Sequence, residues 1–167
     1  VGISSIGDTT VVTDKWMLGT RNSFFVGIVA TLLATALGTV AALGLSRPHM
    51  PFKAVLMAIL ISPMIVPLII TAAGMFFFYS KIGLTHSYLG LILAHTALGT
   101  PFVVITVTAT LTGFDTNLIR ASQSLGADTM RTFFKIIMPL ILPGVISGGL
   151  FAFITSFDEV VVVMFIG

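Results

Sequence analysis

Four long runs of uncharged, mostly apolar residues alternate with short polar segments along the chain. The runs hold 25, 27, 33 and 22 residues, and they are bounded by Arg21 and Arg47, Lys53 and Lys81, Lys81 and Asp115, and Lys135 and Asp158. A helix that crosses a bilayer needs about 20 apolar residues, and its backbone polar groups must bond within the segment. The pattern therefore predicts an all-α membrane protein with spans near residues 24–45, 54–79, 88–112 and 140–166.

Prolines and glycines interrupt the predicted spans. Proline removes a helical N–H donor and kinks the segment, so neighbouring helices must cover the freed carbonyl groups. The prolines fall in the second span, in the third span and at the start of the fourth, at Pro63, Pro67, Pro101 and Pro143. Gly144 and Gly148 form a GxxxG pair, which allows two helices to approach closely. Together these residues predict a packed helix bundle rather than a set of independent anchors.

The composition supports a membrane protein. Hydrophobic residues make up 56% of the chain and charged residues 8%, whereas a soluble domain carries about 25% charged residues. The net charge of +2 is too small for a nucleic-acid surface, which needs clustered Lys and Arg. The chain has no cysteine, which excludes disulfides, thiolate metal sites and a cysteine nucleophile.

The Lys and Arg residues predict the orientation of the spans. Segment 46–53 holds two of them and segment 113–139 holds three, whereas segment 80–88 between them holds one. Loops on the cytoplasmic side of a membrane protein carry the excess of positive charge. We therefore expect the first and third loops in the cytoplasm, and the second loop and residues 1–21 outside.

The third loop carries a helix–turn–helix pattern. Asp115 or Thr116 can cap a short helix, Gly126 ends that helix, and Asp128 can cap a second one. Two interpretations fit the pattern: a pair of amphipathic helices on the bilayer surface, or a docking element for a cytoplasmic partner. We expect Pro139 to mark the entry to the next span, and the second helix to place four apolar residues on one side, Phe133, Phe134, Ile136 and Ile137.

The same loop resembles the EAA loop of bacterial ABC-importer permeases. In that motif Glu-Ala-Ala precedes a glycine, and Ile-x-Leu-Pro ends the loop. This chain has Arg120-Ala121-Ser122, then Gly126, then Pro139 at the same spacing, with Met in place of the last Leu. Arg120 stands where the family usually has Glu. Because that Glu is usually thought to meet a basic group on the ATPase, we expect the contact to differ here.

The resemblance extends over nearly the whole chain. Two stretches look like membrane helices of such permeases and two look most like the spermidine/putrescine branch: residues 22–47 and 59–74, and residues 92–104 and 148–167. The resemblance implies a type I ABC-importer permease core (MetI-like) over residues 22–167, in a bacterial inner (plasma) membrane. The chain starts at Val1 rather than Met and ends after an apolar run, so we expect a further helix before Val1 and another after Gly167.

The function implied by this resemblance is that of a permease subunit of an ATP-driven importer for a small cationic solute such as a polyamine. No cofactor and no enzymatic activity of its own would be needed. Its partners would be cytoplasmic ABC ATPase subunits, a second permease subunit of different sequence, an external solute-binding protein and the lipid bilayer. The resemblance places the coupling to the ATPase in residues 115–139, at Arg120, Ala121, Ser122, Leu125, Gly126, Ala127, Phe133, Ile136 and Pro139.

Asp158 and Glu159 are the acidic residues of the last apolar run. About 15 residues of helix from Pro143 place them roughly 22 Å along the span, past the midplane. A charge at the bilayer centre costs about 2.5 kcal/mol or more, so it should face the bundle interior or an aqueous cavity. One interpretation is a pathway for a cationic substrate, with Thr155 beside Glu159. The others are a cap on a helix break, a pairing with another subunit, and a position in the headgroup region.

Motifs for nucleotide binding, metal binding and catalysis are absent from the sequence. GxxxxGK[ST], HExxH and GxSxG do not occur, and the three histidines lie in different segments, so we expect no metal site and no catalytic residue. His95 is expected to be packed or hydrogen-bonded inside a span. The alternative function is a secondary transporter or channel subunit that uses Asp158 and Glu159 for ion coupling.

Overall fold

The structure is a computed structural model that describes residues 5–47, 49–115 and 117–167, with side chains described from residue 16. Over these residues it contains eight α-helices and one π-helical turn. Three apolar helical segments are long enough to cross a membrane: Trp16–Leu45, Tyr88–Thr112 and Thr129–Asp158. In chain order the elements are α1 Ser5–Leu45, α2 Lys53–Ile65, α3 Leu68–Ile82, α4 Tyr88–Thr112, α5 Asn117–Ser124, α6 Thr129–Thr132, the π-helical turn Phe133–Ile137, α7 Met138–Asp158 and α8 Val161–Ile166.

The centre of the fold is a three-helix bundle in which α1, α4 and α7 pack on one another. Small residues face each other where the three helices meet. A Cβ atom added to Gly99 would lie 3.0 Å from the Cβ of Ala152 and 3.3 Å from the Cβ of Ala34. Lipid tails are as apolar as the side chains they contact, so helices in a membrane associate through close van der Waals packing of small residues.

The GxxxG pair of α7 packs directly on α4, as the sequence predicts. A Cβ atom on Gly148 would lie 2.7 Å from the Cα of Val103, and one on Gly144 would lie 2.9 Å from the carbonyl oxygen of Thr106. Both contacts are with backbone atoms, which cannot rotate away as a flexible side chain can. These two positions therefore fix how closely α7 approaches α4.

The second predicted span is broken into two helices. The axes of α2 and α3 differ by 103°, so the predicted interruption of segment 54–79 is a full break into two helices. Val66, between the two helices, is extended at φ −72° and ψ 136°. The ring of Pro67 disfavours helical geometry in the residue before it, which explains the break at this position.

The fourth predicted span also differs from the structure. The helix does not open at Pro143, because the helical path runs from Thr129 through Pro143 to Asp158. It ends there, and Glu159 adopts an extended conformation at φ −81° and ψ 98°. The prediction of one span over 140–166 is therefore wrong, since a separate helix, α8, follows the break and packs against α3.

The loops fall into two groups at opposite ends of the bundle. Ser46 and Arg47 line a groove together with Phe114 and residues of the third loop, whereas the 83–87 connection meets the end of α7 and α8. The broken pair α2–α3 thus links the two ends, as alternating spans require. The cytoplasmic assignment of the first end remains a prediction from its Lys and Arg residues.

Large apolar side chains cover the outside of the bundle. Every residue of α2 is at least partly exposed, and exposed leucine, isoleucine and phenylalanine side chains continue along the other long helices, for example Leu32, Leu37, Ile59, Ile69, Phe77 and Leu150. Soluble monomers rarely expose apolar patches of this extent. The surface is that of a protein surrounded by lipid or by further membrane subunits.

Replacing Gly148 by alanine tests the close packing of α7 on α4. The added Cβ collides with the backbone of α4, and such overpacking costs about 1–3 kcal/mol of stability. Gly74→Ala is the matched control, because Gly74 also lies inside a helix but has nothing within 4 Å of its added Cβ. Thermal unfolding of the full-length protein in detergent should show a lower midpoint for Gly148→Ala alone. Equal midpoints for the two variants would contradict the packing.

Candidate functional site

The third loop begins with a short helix that is closed at both ends. The Asp115 side chain accepts a hydrogen bond from the Asn117 N–H at 2.9 Å, so the predicted cap at Asp115 is confirmed, and Thr116 lies outside the described residues. Gly126 ends the helix with φ +81°. The Ala127 N–H donates to the Ser122 carbonyl and the Gly126 N–H to the Gln123 carbonyl, each at 3.0 Å. Gly126 therefore ends the helix in the left-handed conformation that is typical of glycine C-caps, and the predicted helix end at this residue is confirmed.

The second helix of the loop runs into α7 without a boundary. Asp128 accepts a hydrogen bond from the Arg131 N–H at 2.8 Å, which confirms it as the predicted cap. The π-helical turn follows, and the Met138 N–H donates to the Phe133 carbonyl five residues earlier. Pro139 has no N–H for the Lys135 carbonyl and crowds it, which accounts for the wider turn. Pro139 therefore lies at the start of α7, inside a continuous helical path, and its role as the entry to the span stays a prediction.

A hydrogen bond between buried hydroxyl groups joins the two helices of the loop. The Ser122 and Thr132 oxygens are 2.9 Å apart, and both residues are buried. The Ser122 hydroxyl donates to the Ile119 carbonyl at 2.8 Å, so Thr132 is the donor to Ser122 because each hydroxyl has one proton. The role of Thr132 was not predicted, since nothing in the sequence pairs it with a residue ten positions away.

A groove of about 430 Å³ separates the loop from the ends of α1 and α4. Phe133 and Ile137 line it together with Leu43, Leu111 and Ile119. Not all four apolar residues predicted to share a side do so, because Phe134 is 59% exposed. Successive residues of a helix point about 100° apart, so Phe134 is directed away from the groove that Phe133 lines.

The outer surface of the loop carries several of the predicted coupling residues. Arg120, Ala121 and Pro139 are exposed, and Ala127 and Ile136 are half-buried. Leu125 lies beside the glycine turn and is 88% exposed. The loop therefore exposes an apolar side chain at its turn and a cation on α5, and two caps and one buried hydrogen bond hold its helices.

A second cavity lies at the opposite end of the bundle. Its volume is about 360 Å³, and its wall is formed by the start of α1, the α3–α4 connection and the end of α7 with α8. The polar residues of this wall are Asn22, Ser23, His86, Ser87, Ser156 and Glu159. We call it the outer cavity.

Of the three residues predicted for a substrate pathway, Glu159 lies at the outer cavity. Its carboxylate accepts a hydrogen bond from the Val162 N–H at 3.0 Å, so the interpretation of Glu159 as a cap on a helix break is confirmed. This bond occupies one carboxylate oxygen and leaves the other for a further partner. Asp158 is exposed and Thr155 is half-buried, and neither contributes to the cavity wall described here.

His95 connects α4 to the wall of the outer cavity. It is 3% exposed, and its Nδ1 lies 2.7 Å from the Ser156 hydroxyl oxygen. The prediction of a packed, hydrogen-bonded histidine is confirmed. Ser156, Asn22 and Ser23 were not predicted to share a site, and only their polarity within apolar runs could have indicated it. Over the described residues, no three of His, Asp and Glu form a group that could hold a metal ion.

The fold and its cavities define a polytopic α-helical membrane protein with a cavity that contains several polar side chains at one end and a capped helical loop at the other. The chain belongs to the family of binding-protein-dependent transport system inner membrane components, whose pattern matches residues 6–167. Proteins of this family are transport permeases of the inner membrane and not enzymes.

Three relatives illustrate the range of the similarity. The chain is 34% identical over 145 residues to the spermidine/putrescine transport system permease protein PotC of Haemophilus influenzae, covering 87% of this chain and 56% of that protein. It is 30% identical over 153 residues to PotC of Escherichia coli, covering 92% and 58%. It is 28% identical over 138 residues to the sulfoquinovosyl glycerol transport system permease protein SmoH of Agrobacterium fabrum, covering 83% and 48%. The chain spans about half the length of the curated relatives it matches.

Replacing Ser122 by alanine tests whether the buried hydrogen bond holds the loop together. The change leaves the Thr132 hydroxyl buried without a partner, which costs about 1–3 kcal/mol. Ser124→Ala is the matched control, because Ser124 is exposed and bonds within its own helix. Hydrogen exchange measured by mass spectrometry should be faster over residues 117–132 in Ser122→Ala only. Unchanged exchange in that variant would show that the bond does not order the loop.

Proposed function

We propose that this chain is a permease subunit of an ATP-driven ABC importer, in which it forms part of the translocation pathway. Membership of the inner-membrane transport family over residues 6–167 carries the proposal. The sequence holds no phosphate-binding loop of its own, so ATP hydrolysis belongs to a partner subunit. The partners are two ATPase subunits, a second permease chain of different sequence and an external solute-binding protein.

The third loop is the proposed contact with the ATPase. Arg120 is exposed on α5 and Leu125 is exposed in the turn that follows it. The helices on either side of that turn have side-chain caps at Asp115 and Asp128 and are joined through Ser122. A partner that pushes on this unit meets a stiff element rather than a flexible loop. An exposed apolar side chain and a cation on the same loop suit docking into a groove, as in other helical recognition segments.

The path from the loop to the outer cavity runs through one continuous helical segment. Thr129–Asp158 holds 30 residues, or roughly 45 Å of helix. Its far end carries Ser156 and is followed by Glu159, and both line the outer cavity. When the ATPase displaces the loop, the cavity wall at the other end of the same helical segment therefore moves with it. The two sites are coupled in a thermodynamic sense if the loop docks differently in the inward- and outward-open states.

The proposed solute is a small cation such as a polyamine. Two relatives are named for spermidine and putrescine, and the outer cavity contains a carboxylate and no Lys or Arg in its described wall. A carboxylate in a partly desolvated cavity attracts an ammonium group more strongly than one in water. The relative named for sulfoquinovosyl glycerol shows that family membership alone does not define the solute, so the carboxylate is the discriminating feature.

Changing Gly126 to valine tests the contact with the ATPase. Valine strains a residue held at φ +81° and reshapes the exposed turn at Leu125. Gly113→Val is the matched control, because Gly113 lies in the same loop with φ −86°. We expect the ATPase to co-purify with the tagged full-length protein and with Gly113→Val, and to be lost from Gly126→Val. Retention by a well-folded Gly126→Val protein would argue against docking at this turn.

Neutralising the acidic pair tests the solute proposal. Glu159→Gln keeps an oxygen that can accept from the Val162 N–H, so the α8 cap is preserved while the charge is removed. We expect Glu159→Gln to raise the KM for spermidine uptake about ten-fold or more, the scale of a lost charged hydrogen bond. Asp158→Asn, at an exposed position, should have the smaller effect. Unchanged uptake in both single variants and the double variant would exclude a role of these carboxylates in the pathway.

A further inference from the structure

The hydrogen bond between His95 and Ser156 joins side chains of two different helices of the bundle, α4 and α7. On α4, the hydroxyls of Thr96, Thr100 and Thr110 each donate to a carbonyl of their own helix at 2.7 Å. Hydroxyls in helices commonly bond in this way, because the carbonyl one turn earlier is always within reach. Ser156 instead bonds across to a neighbouring helix, and His95 is its hydrogen-bond partner among the described residues.

The other nitrogen of the His95 ring is buried without a partner. Nε2 has no hydrogen-bond partner among the described residues, and the side chain is only 3% exposed, so most of it is shielded from water. A buried polar atom left unpaired is destabilising, and an apolar side chain of similar size would avoid that penalty. A histidine at this position therefore adds little to the stability of the fold. Its one hydrogen bond, to Ser156, is the contact that can explain its presence.

Ser156 lies in the last turn of α7, Glu159 follows the end of that helix, and both line the outer cavity. A hydroxyl has one proton and two lone pairs. If the Ser156 proton is donated to Nδ1 of His95, both lone pairs of the Ser156 oxygen remain free to accept. If Nδ1 carries the proton instead, the Ser156 hydroxyl donates to the cavity. The tautomer of His95 thus decides whether the cavity wall accepts or donates at this position.

We propose that His95 is a positioning residue for solute recognition: its Nδ1 accepts the Ser156 proton, so that the Ser156 oxygen and the free carboxylate oxygen of Glu159 together accept hydrogen bonds from one ammonium group of the solute. The inference rests on the proposed import of a cationic solute and adds to it the group that sets the hydrogen-bonding polarity of the site. His95 acts through Ser156 and does not touch the solute. Glu159 supplies the charge, and the Ser156 oxygen fixes the direction from which the ammonium group approaches.

The first test is the kinetics of spermidine uptake by the assembled, full-length transporter. For His95→Leu we expect the KM to rise about ten-fold, as for a lost hydrogen bond to a charged group. The maximal rate should stay within about two-fold, because the interaction is one of binding. Thermal stability should change little, since removal of the unpaired Nε2 offsets the loss of the partner of the Ser156 hydroxyl. A purely structural histidine would show the opposite pattern, with lower stability and an unchanged KM, and that result would overturn the proposal.

Two further variants separate action through Ser156 from any other effect. His95→Asn retains a polar group near the position of Nδ1 and should recover most of the wild-type KM. In the Ser156→Ala background, His95→Leu should add little further effect, because residues that act as one unit are not additive. Independent, multiplicative effects would overturn the link to Ser156.

Thr96→Val is the matched control. Thr96 is a buried neighbour of His95 on α4, and its closest hydroxyl contact, at 2.7 Å, is within its own helix. The KM of Thr96→Val should not change.

The second test does not depend on the solute. Solid-state nitrogen-15 NMR of the histidine-labelled wild-type transporter, with the His95 signals assigned by their loss in His95→Asn, reports the tautomer directly. We expect an unprotonated, hydrogen-bond-accepting Nδ1 and a protonated Nε2. A protonated Nδ1 would overturn the proposal whatever the transport data show. If the wild-type transporter imports no polyamine, the proposed solute is wrong, and the NMR result still decides the role of His95.

Discussion

The close approach of α1, α4 and α7 is the constraint on which the rest of the structure depends. Gly99 faces Ala34 and Ala152, and Gly148 of α7 lies against the backbone of α4. In lipid, where burial of apolar surface between helices gains little over contact with acyl chains, such contacts are what hold helices together. The close packing also aligns α7 with α4, so that residues near the end of α7 meet His95 and form the wall of the outer cavity.

Because α7 is continuous with the third loop, the packing of α7 in the bundle links the loop to the rest of the structure. A boundary at Pro139 would separate the loop from the bundle, whereas the π-helical turn carries the helix past the proline. The loop is stiff because Asp115, Asp128 and the Ser122–Thr132 hydrogen bond satisfy its polar groups internally. In the proposed mechanism, the loop, the continuous helix and the cavity at its far end form one body through which an ATPase acts on the solute site.

The residues proposed to recognise the solute depart from the hydrogen-bonding and packing patterns of the rest of the bundle. The partly buried hydroxyls of Thr100, Thr106 and Thr110 on α4 bond to carbonyls of their own helix, and small residues face each other where the three helices meet. His95 and Ser156 depart from both patterns, and the Glu159 carboxylate lies within an apolar run where a charge is costly. Departures of this kind are expected where a protein sacrifices stability for recognition. Ser156 and Glu159 line the outer cavity, and His95 lies against Ser156.

The sequence by itself determined the class of protein, the long apolar helices, the caps at Asp115 and Asp128, the turn at Gly126 and the close packing of the GxxxG pair. Each depends on residues within a few positions of one another, so local composition and spacing suffice. The 103° angle between α2 and α3, the wall of the outer cavity and the pairing of His95 with Ser156 were decided by the tertiary structure alone. His95 and Ser156 are 61 positions apart, and only the packing of α7 on α4 brings them together.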